Sequence, residues 1–234
     1  MMTNPWKDLK KAPSMVLESD RLLVEEHNAV FKRSSPYHLQ LGLPPSPFIG
    51  RLDAPVVLLL ANPGYYPIDR SALEKYPIIE KGIWENLHLN PEASLFYLSR
   101  EYRGLENHVN QWWRDRTKEL AKWIDPTDVD RGFDTVQEKL LAIEYHPYHS
   151  KEWCPPFRTF ESQEFTFELV NLAMERNAWI IVGRCKNHWL ASVPGLRGYE
   201  RVIKNMKSSR SVHLSKKNLG SVTFGRIARA MLAD

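Results

Sequence analysis

The chain has 234 residues, a formal charge of +4, 43% hydrophobic and 26% charged residues, which suits one large domain with a full apolar core. Its two cysteines, Cys154 and Cys185, exclude a four-thiolate zinc or iron–sulfur site and imply no oxidising compartment. No apolar run approaches the roughly 20 residues of a membrane span, and the start Met-Met-Thr-Asn-Pro-Trp-Lys-Asp lacks a signal-peptide core, so a cytoplasmic protein is expected.

In chain order, residues 1–35 read as a helical lead-in and about 47–232 as the core of a single domain. The Pro-rich stretch Leu43–Gly50 is a loop. Val56–Ala61 is the first strand, opening into Asn62-Pro63-Gly64-Tyr65-Tyr66-Pro67-Ile68-Asp69. Ser71-x-x-Glu74 has capping-box spacing, which predicts a helix starting just after that loop. Glu106–Ile124 places Val109, Trp112, Trp113, Leu120 and Trp123 at helical spacing within a long excursion over residues 62–138. Leu140–Tyr145 is the second strand, Phe165–Glu175 a helix, Ala178–Val182 the third strand and Arg201–Asn205 a weaker fourth. Lys217–Leu232 closes the chain as one amphipathic helix, with Leu219, Val222, Ile227 and Met231 on its apolar side.

The first and third strands are unbroken apolar runs rather than alternating ones, the pattern of strands covered on both faces. Strands alternating with helices predict a three-layer α/β/α fold around a short, mainly four-stranded parallel sheet. Ligands of such sheets sit outside the C-terminal strand ends, here the loops Asn62–Asp69, Glu144–Ser150 and Gly183–His188. Between Arg201 and Ala233 there are eight Lys and Arg and no Asp or Glu. That one-sign segment suits a polyanion, and equally a solvated basic helix face.

These loops, in order, resemble motifs of the uracil-DNA glycosylase superfamily. Leu60-Ala61-Asn62-Pro63-Gly64 is similar to the Gly-x-Asn-Pro-Gly of its mismatch-specific and single-strand-selective branches, without the leading Gly. Pro47-Phe48-Ile49-Gly50 resembles a Pro-Phe-x-Gly element found near that strand. Glu144-Tyr145-His146-Pro147-Tyr148 keeps a Pro-Tyr turn but carries Glu144 where the family has Asn. Ile180-Ile181-Val182-Gly183 matches the third motif. The segment Ser208–Ser215 lacks the family's His-Pro-Ser.

The resemblance implies hydrolysis of the N-glycosidic bond of uracil or another damaged base in DNA, without metal or organic cofactor. It makes Asn62 the water-positioning group, with Asp69 a rival base. His213 is the candidate for the electrophilic role, with His146 and His149 as weaker ones. Phe48, Gly64, Tyr65, Tyr66, Glu144 and Tyr148 would contact the base. An ionised Glu144 offers acceptors only, which favours a base presenting an amino group. Lys207, Ser209, Arg210, Ser211, Lys216 and Lys217 would hold DNA phosphates. The expected partner is DNA, single-stranded or with a base flipped from the duplex, bound by a monomer away from any membrane.

Three alternatives stand beside this reading. The first is a catalytically altered nucleic-acid- or nucleotide-binding module on the same fold. The second is an unrelated α/β enzyme cradling an anion at the Asn62–Asp69 loop, weakened by the lack of a glycine-rich phosphate loop. The third is a metal at His146-x-x-His149-x4-Cys154, which lacks a fourth ligand.

Overall fold

Why the chain folds as it does starts from Val56–Leu60 (β2), five aliphatic residues that are all buried. The computed structural model describes residues 3–66, 68–102, 108–155, 158–209 and 211–233, with only the backbone of residues 68–70 and 108. β2 lies at the centre of a five-stranded sheet with Phe48–Ile49 (β1), Leu140–Glu144 (β3), Trp179–Val182 (β4) and Val202–Ile203 (β5), in the order β1-β3-β2-β4-β5. β3, β2, β4 and β5 are parallel, and β1 pairs antiparallel with β3 at the edge. Pairing Leu60 with Glu144 and Leu59 with Val182 brings the loops after β2, β3 and β4 out of the sheet side by side.

Helices Arg21–Val30 (α1), Ile68–Lys75 (α2), Pro77–Leu87 (α3), His108–Ile124 (α4), Val129–Lys139 (α5), Ser162–Glu175 (α6), Lys186–Ser192 (α7), Lys216–Leu219 (α8) and Ser221–Leu232 (α9) surround the sheet. Successive strand residues point to opposite faces, and β1 shows which helices cover which face. Phe48 packs its ring 6.1 Å from Phe165 of α6, while Ile49 shares a cavity lining with Ile79 and Ile83 of α3 and Trp113 of α4. α9 packs on β2 and on the α4–α5 pair, completing the second helical layer. The lead-in joins the same core through Trp6. Buried Asp20 accepts from Tyr148 Oη at 2.7 Å, Ser162 N at 3.1 Å and Ser162 Oγ at 2.5 Å.

Four local expectations need correction. The Pro-rich stretch ends in β1 rather than staying a loop throughout, because its two residues find the open edge of β3. Ser71 does not open a helix, since α2 already runs from Ile68. The fourth strand shrinks to Val202–Ile203, half-buried at the sheet edge. The closing helix is two helices, broken at Gly220, whose φ of 80° is disfavoured for residues with a Cβ. The break lets Asn218 donate to Ser208 O at 3.1 Å and His213 O at 3.0 Å, tying down the preceding loop. It also turns Val222 outward, 70% exposed, and buries Phe224, Ile227, Ala228 and Met231 instead.

Candidate functional site

A cavity of about 850 Å³ opens beyond the C-terminal ends of β2, β3 and β4. Its polar lining includes Asn62, Glu144 and Arg184, which follow or end these three strands. Its walls are apolar and aromatic: Ile49, Tyr66, Tyr97, Trp112, Trp113 and Trp153. Trp112 and Trp113 meet edge to face at 4.9 Å, so α4 presents two indoles rather than one across the strand ends.

Asn62 is held rather than loose. Its Nδ2 donates to Pro63 O at 3.0 Å, Ser150 O at 3.0 Å and Ser150 Oγ at 2.9 Å. Those bonds use the amide donors and leave the carboxamide oxygen outside them, an acceptor suited to orienting a water. Buried Ser150 passes the constraint on by donating to Glu152 O at 2.9 Å. Gly64 also lines the cavity, and its carbonyl lies 2.8 Å from His149 Nδ1. His149 Nε2 lies 3.0 Å from Pro44 O, so this ring clasps two loops on either side of the cavity mouth.

Glu144 has one carboxylate oxygen, Oε2, with no solvent contact and no hydrogen-bond partner, although the residue keeps some surface toward the cavity. Burial pushes its carboxyl up to about 8, with the Arg184 guanidinium pulling partly the other way. At neutral pH it therefore carries its proton, and a protonated carboxyl presents one donor and one acceptor.

Arg184, following Gly183, is the functional candidate that sequence reasoning passed over. Its field reaches Glu144 and also Arg116, whose guanidinium stacks 4.6 Å over Trp112 and whose Nε donates to Ser211 O at 3.2 Å. Burial chiefly lowers the Arg116 pKa, Asp115 raises it, and Arg184 lowers it further. Arg184 in the cavity lining and Arg116 on α4 thus lie close enough to feel each other's charge.

The other expected residues divide. Tyr66 lines the cavity and is 48% exposed, whereas Tyr65 is half-buried and is not part of the lining. Phe48 is corrected: its ring is buried on the α6 face of the sheet, away from the cavity. Tyr148 is corrected too, because it is buried with its hydroxyl spent on Asp20. His146 is buried behind it, and its pKa is lowered to about 3, first by burial and then by nearby His27. His213 sits on α4, with Nδ1 3.0 Å from Asp115 O, and does not line the cavity. Val212 before it is fully buried at φ 48°, a strained conformation for a β-branched residue. It seats against Gly183, where a Cβ would come 2.7 Å from Val212 Cγ1.

Lys207, Ser209, Lys216 and Lys217 are exposed and Ser211 is half-buried, none of them in the cavity wall. Arg210 and the side chain of Asp69 lie outside the described residues. No group of three His, Cys, Asp or Glu able to hold a metal occurs among the described residues. Nor is any described helix long and apolar enough to cross a membrane. No protein-family model, curated protein or solved structure matches this chain. Its geometry and sequence pattern therefore carry the functional argument.

Proposed function

We propose that the chain is a uracil-DNA glycosylase-like hydrolase that accepts a base extruded from DNA and cleaves its N-glycosidic bond, as in base-excision repair. The observation that carries this reading is the convergence of Asn62, Glu144 and Arg184, from three adjacent parallel strands, on one cavity with indole walls. A cavity of that kind encloses a flat heterocycle and keeps bulk water from it.

The roles follow from the groups. The oxygen of Asn62 orients a water toward C1′ of the sugar, and position matters more than basicity when the leaving group drives the reaction. As the C1′–N bond breaks, its electron pair passes to the base, the water oxygen bonds to C1′, and the proton that the water sheds is taken up by the departing base anion. Arg184 supplies positive charge where the base anion develops. The neutral carboxyl of Glu144 offers the donor–acceptor pair that a carboxamide would offer, which keeps uracil among the acceptable bases. Trp112, Trp113 and Tyr66 provide stacking faces. Arg116 and the exposed Lys207, Ser209, Lys216 and Lys217, none of them in the cavity wall, would meet the flanking phosphates.

A second reading, a binding module on the same fold, is favoured by one observation. Among the described histidines, His213 is docked on α4 outside the cavity, and His149, although it lines the cavity, holds both ring nitrogens at the Gly64 and Pro44 carbonyls. End-labelled single-stranded and duplex oligonucleotides carrying uracil or other altered bases, treated with the protein and then alkali, separate the two. Strand breaks at the altered base support the hydrolase. Salt-sensitive binding without breaks at any base supports the module.

A further inference from the structure

A second cavity, of about 510 Å³, lies at the opposite edge of the sheet, beside the N-terminal ends of β2, β4 and β5. Its lining includes Arg176, Arg201, Arg226 and Arg229, with Trp179 and, among the described residues, one acid, Asp53. Asp53 is already engaged, accepting from Arg51 Nε at 3.0 Å and Nη2 at 2.8 Å. Four guanidiniums thus share a concave site with one committed carboxylate.

Three separate parts of the fold deliver these arginines. Arg176 caps the end of α6 at an exposed position; desolvation of its guanidinium lowers its pKa, while Asp53 raises it. Its Nη2 reaches Ala54 O at 3.4 Å. Arg201 precedes β5, donates from Nη1 to Asn177 O at 2.8 Å and lies 5.9 Å over the Trp179 ring. Arg226 and Arg229 stand three residues apart on exposed positions of α9, hence on one face. Like charges gathered this way repel one another, and an anion between them relieves the repulsion. The planar guanidinium fork matches phosphate oxygens two at a time. Arg201 covers the ring of Trp179, so the site offers charge rather than an open face for stacking a base.

We propose that this cavity binds a compact polyphosphate, either the inorganic ion or the phosphate tail of a nucleotide. The site is separate from the base cavity, on the other side of a sheet whose strands run five residues at most. It serves as a second ligand site whether or not the first cavity performs glycosidic cleavage.

Calorimetric titration of the full chain with inorganic triphosphate, a nucleoside triphosphate and a short single-stranded oligonucleotide tests this. Arg226→Gln/Arg229→Gln is expected to weaken triphosphate binding about tenfold or more, since each lost charge-assisted pair carries that much. Arg201→Gln is a second variant with the same expected direction, and thermal midpoints confirm that each variant folds. Lys207→Gln/Lys216→Gln/Lys217→Gln is expected to bind triphosphate as the wild type does. Equal affinity for the inorganic ion and the nucleotide assigns the site to phosphates alone; clearly tighter nucleotide binding assigns it to a nucleotide tail. Undiminished binding in the arginine variants, loss in the lysine variant instead, or oligonucleotide binding tighter than triphosphate and lost with the same arginines, overturns the proposal.

Discussion

The two ends of the sheet use arginine differently. At the C-terminal end, Arg184 stands beside a buried carboxyl that holds its proton, with indoles for walls and a fixed amide opposite. At the N-terminal end, four guanidiniums gather around an open hollow with one acid, Asp53, among the described lining residues. The first arrangement tunes protonation states in a dry space; the second accumulates charge where solvent tolerates it. On the two proposals made above, chemistry belongs to the first end and electrostatic capture to the second.

Perturbing one end while reading the other sharpens this contrast. The largest effect is expected from Asn62→Ala, which should slow base release at least about a hundredfold by freeing the water it orients. Triphosphate binding at the other end should not change, and single-turnover cleavage with parallel calorimetry reads both.

Glu144→Gln comes next, and its sign is set by a raised carboxyl. The folded protein keeps the Glu144 proton up to about pH 8, whereas an unfolded carboxyl releases it near 4.5. Its contribution to stability is therefore full below pH 4.5 and fades as pH rises toward 8. Glutamine carries no such proton, so the variant should gain about 1–3 kcal/mol on the wild type between pH 5 and pH 8 in denaturant titrations. Parallel curves for the two proteins would mean that Glu144 is ionised and the two ends are less different than argued.

His146 gives the opposite slope. It stays neutral in the fold down to about pH 3, while an unfolded imidazole takes a proton near 6.5. Stability is thus lost as pH falls through that window. His146→Asn keeps an acceptor for Tyr148 N–H and should reduce the acid loss between pH 6 and pH 4 by about 1–2 kcal/mol. The smallest effect is expected from Gly220→Ala, a strain of about 1 kcal/mol at a left-handed position, measurable by thermal unfolding.

How much of this was legible in the sequence depended on how local the cause is. β2 and β4 are written as unbroken apolar runs, so position and parallel burial could be read directly. β1 has two residues and exists only because β3 has a free edge, which no local pattern reveals. Asn62, Gly64, Tyr66 and Glu144 line the cavity because they follow or end strands, and strand ends converge in a parallel sheet. Phe48 and Tyr148 follow the same motif logic yet point into packing, because Phe165 and Asp20 wait for them from distant parts of the chain. Trp112 and Trp113 read as helix core by spacing; they line the cavity because α4 crosses the strand ends.

The acid-free segment after Arg201 shows the limit most clearly. In sequence it is one basic tail. In space Arg201, Arg226 and Arg229 line the N-terminal hollow, while Ser211–Ser215 lie toward the other end, where Leu214 N donates to Arg116 O at 2.8 Å. Charge counting along the chain merges two surfaces that the fold separates.

The most direct test of the central claim is single-turnover cleavage of a uracil-containing single strand by the wild type and Asn62→Ala at matched folding stability. The account predicts alkali-labile breaks at the uracil with the wild type and at least about a hundredfold slower breaks with the variant. Equal rates for the two proteins, or no breaks at uracil or any other altered base, would contradict it.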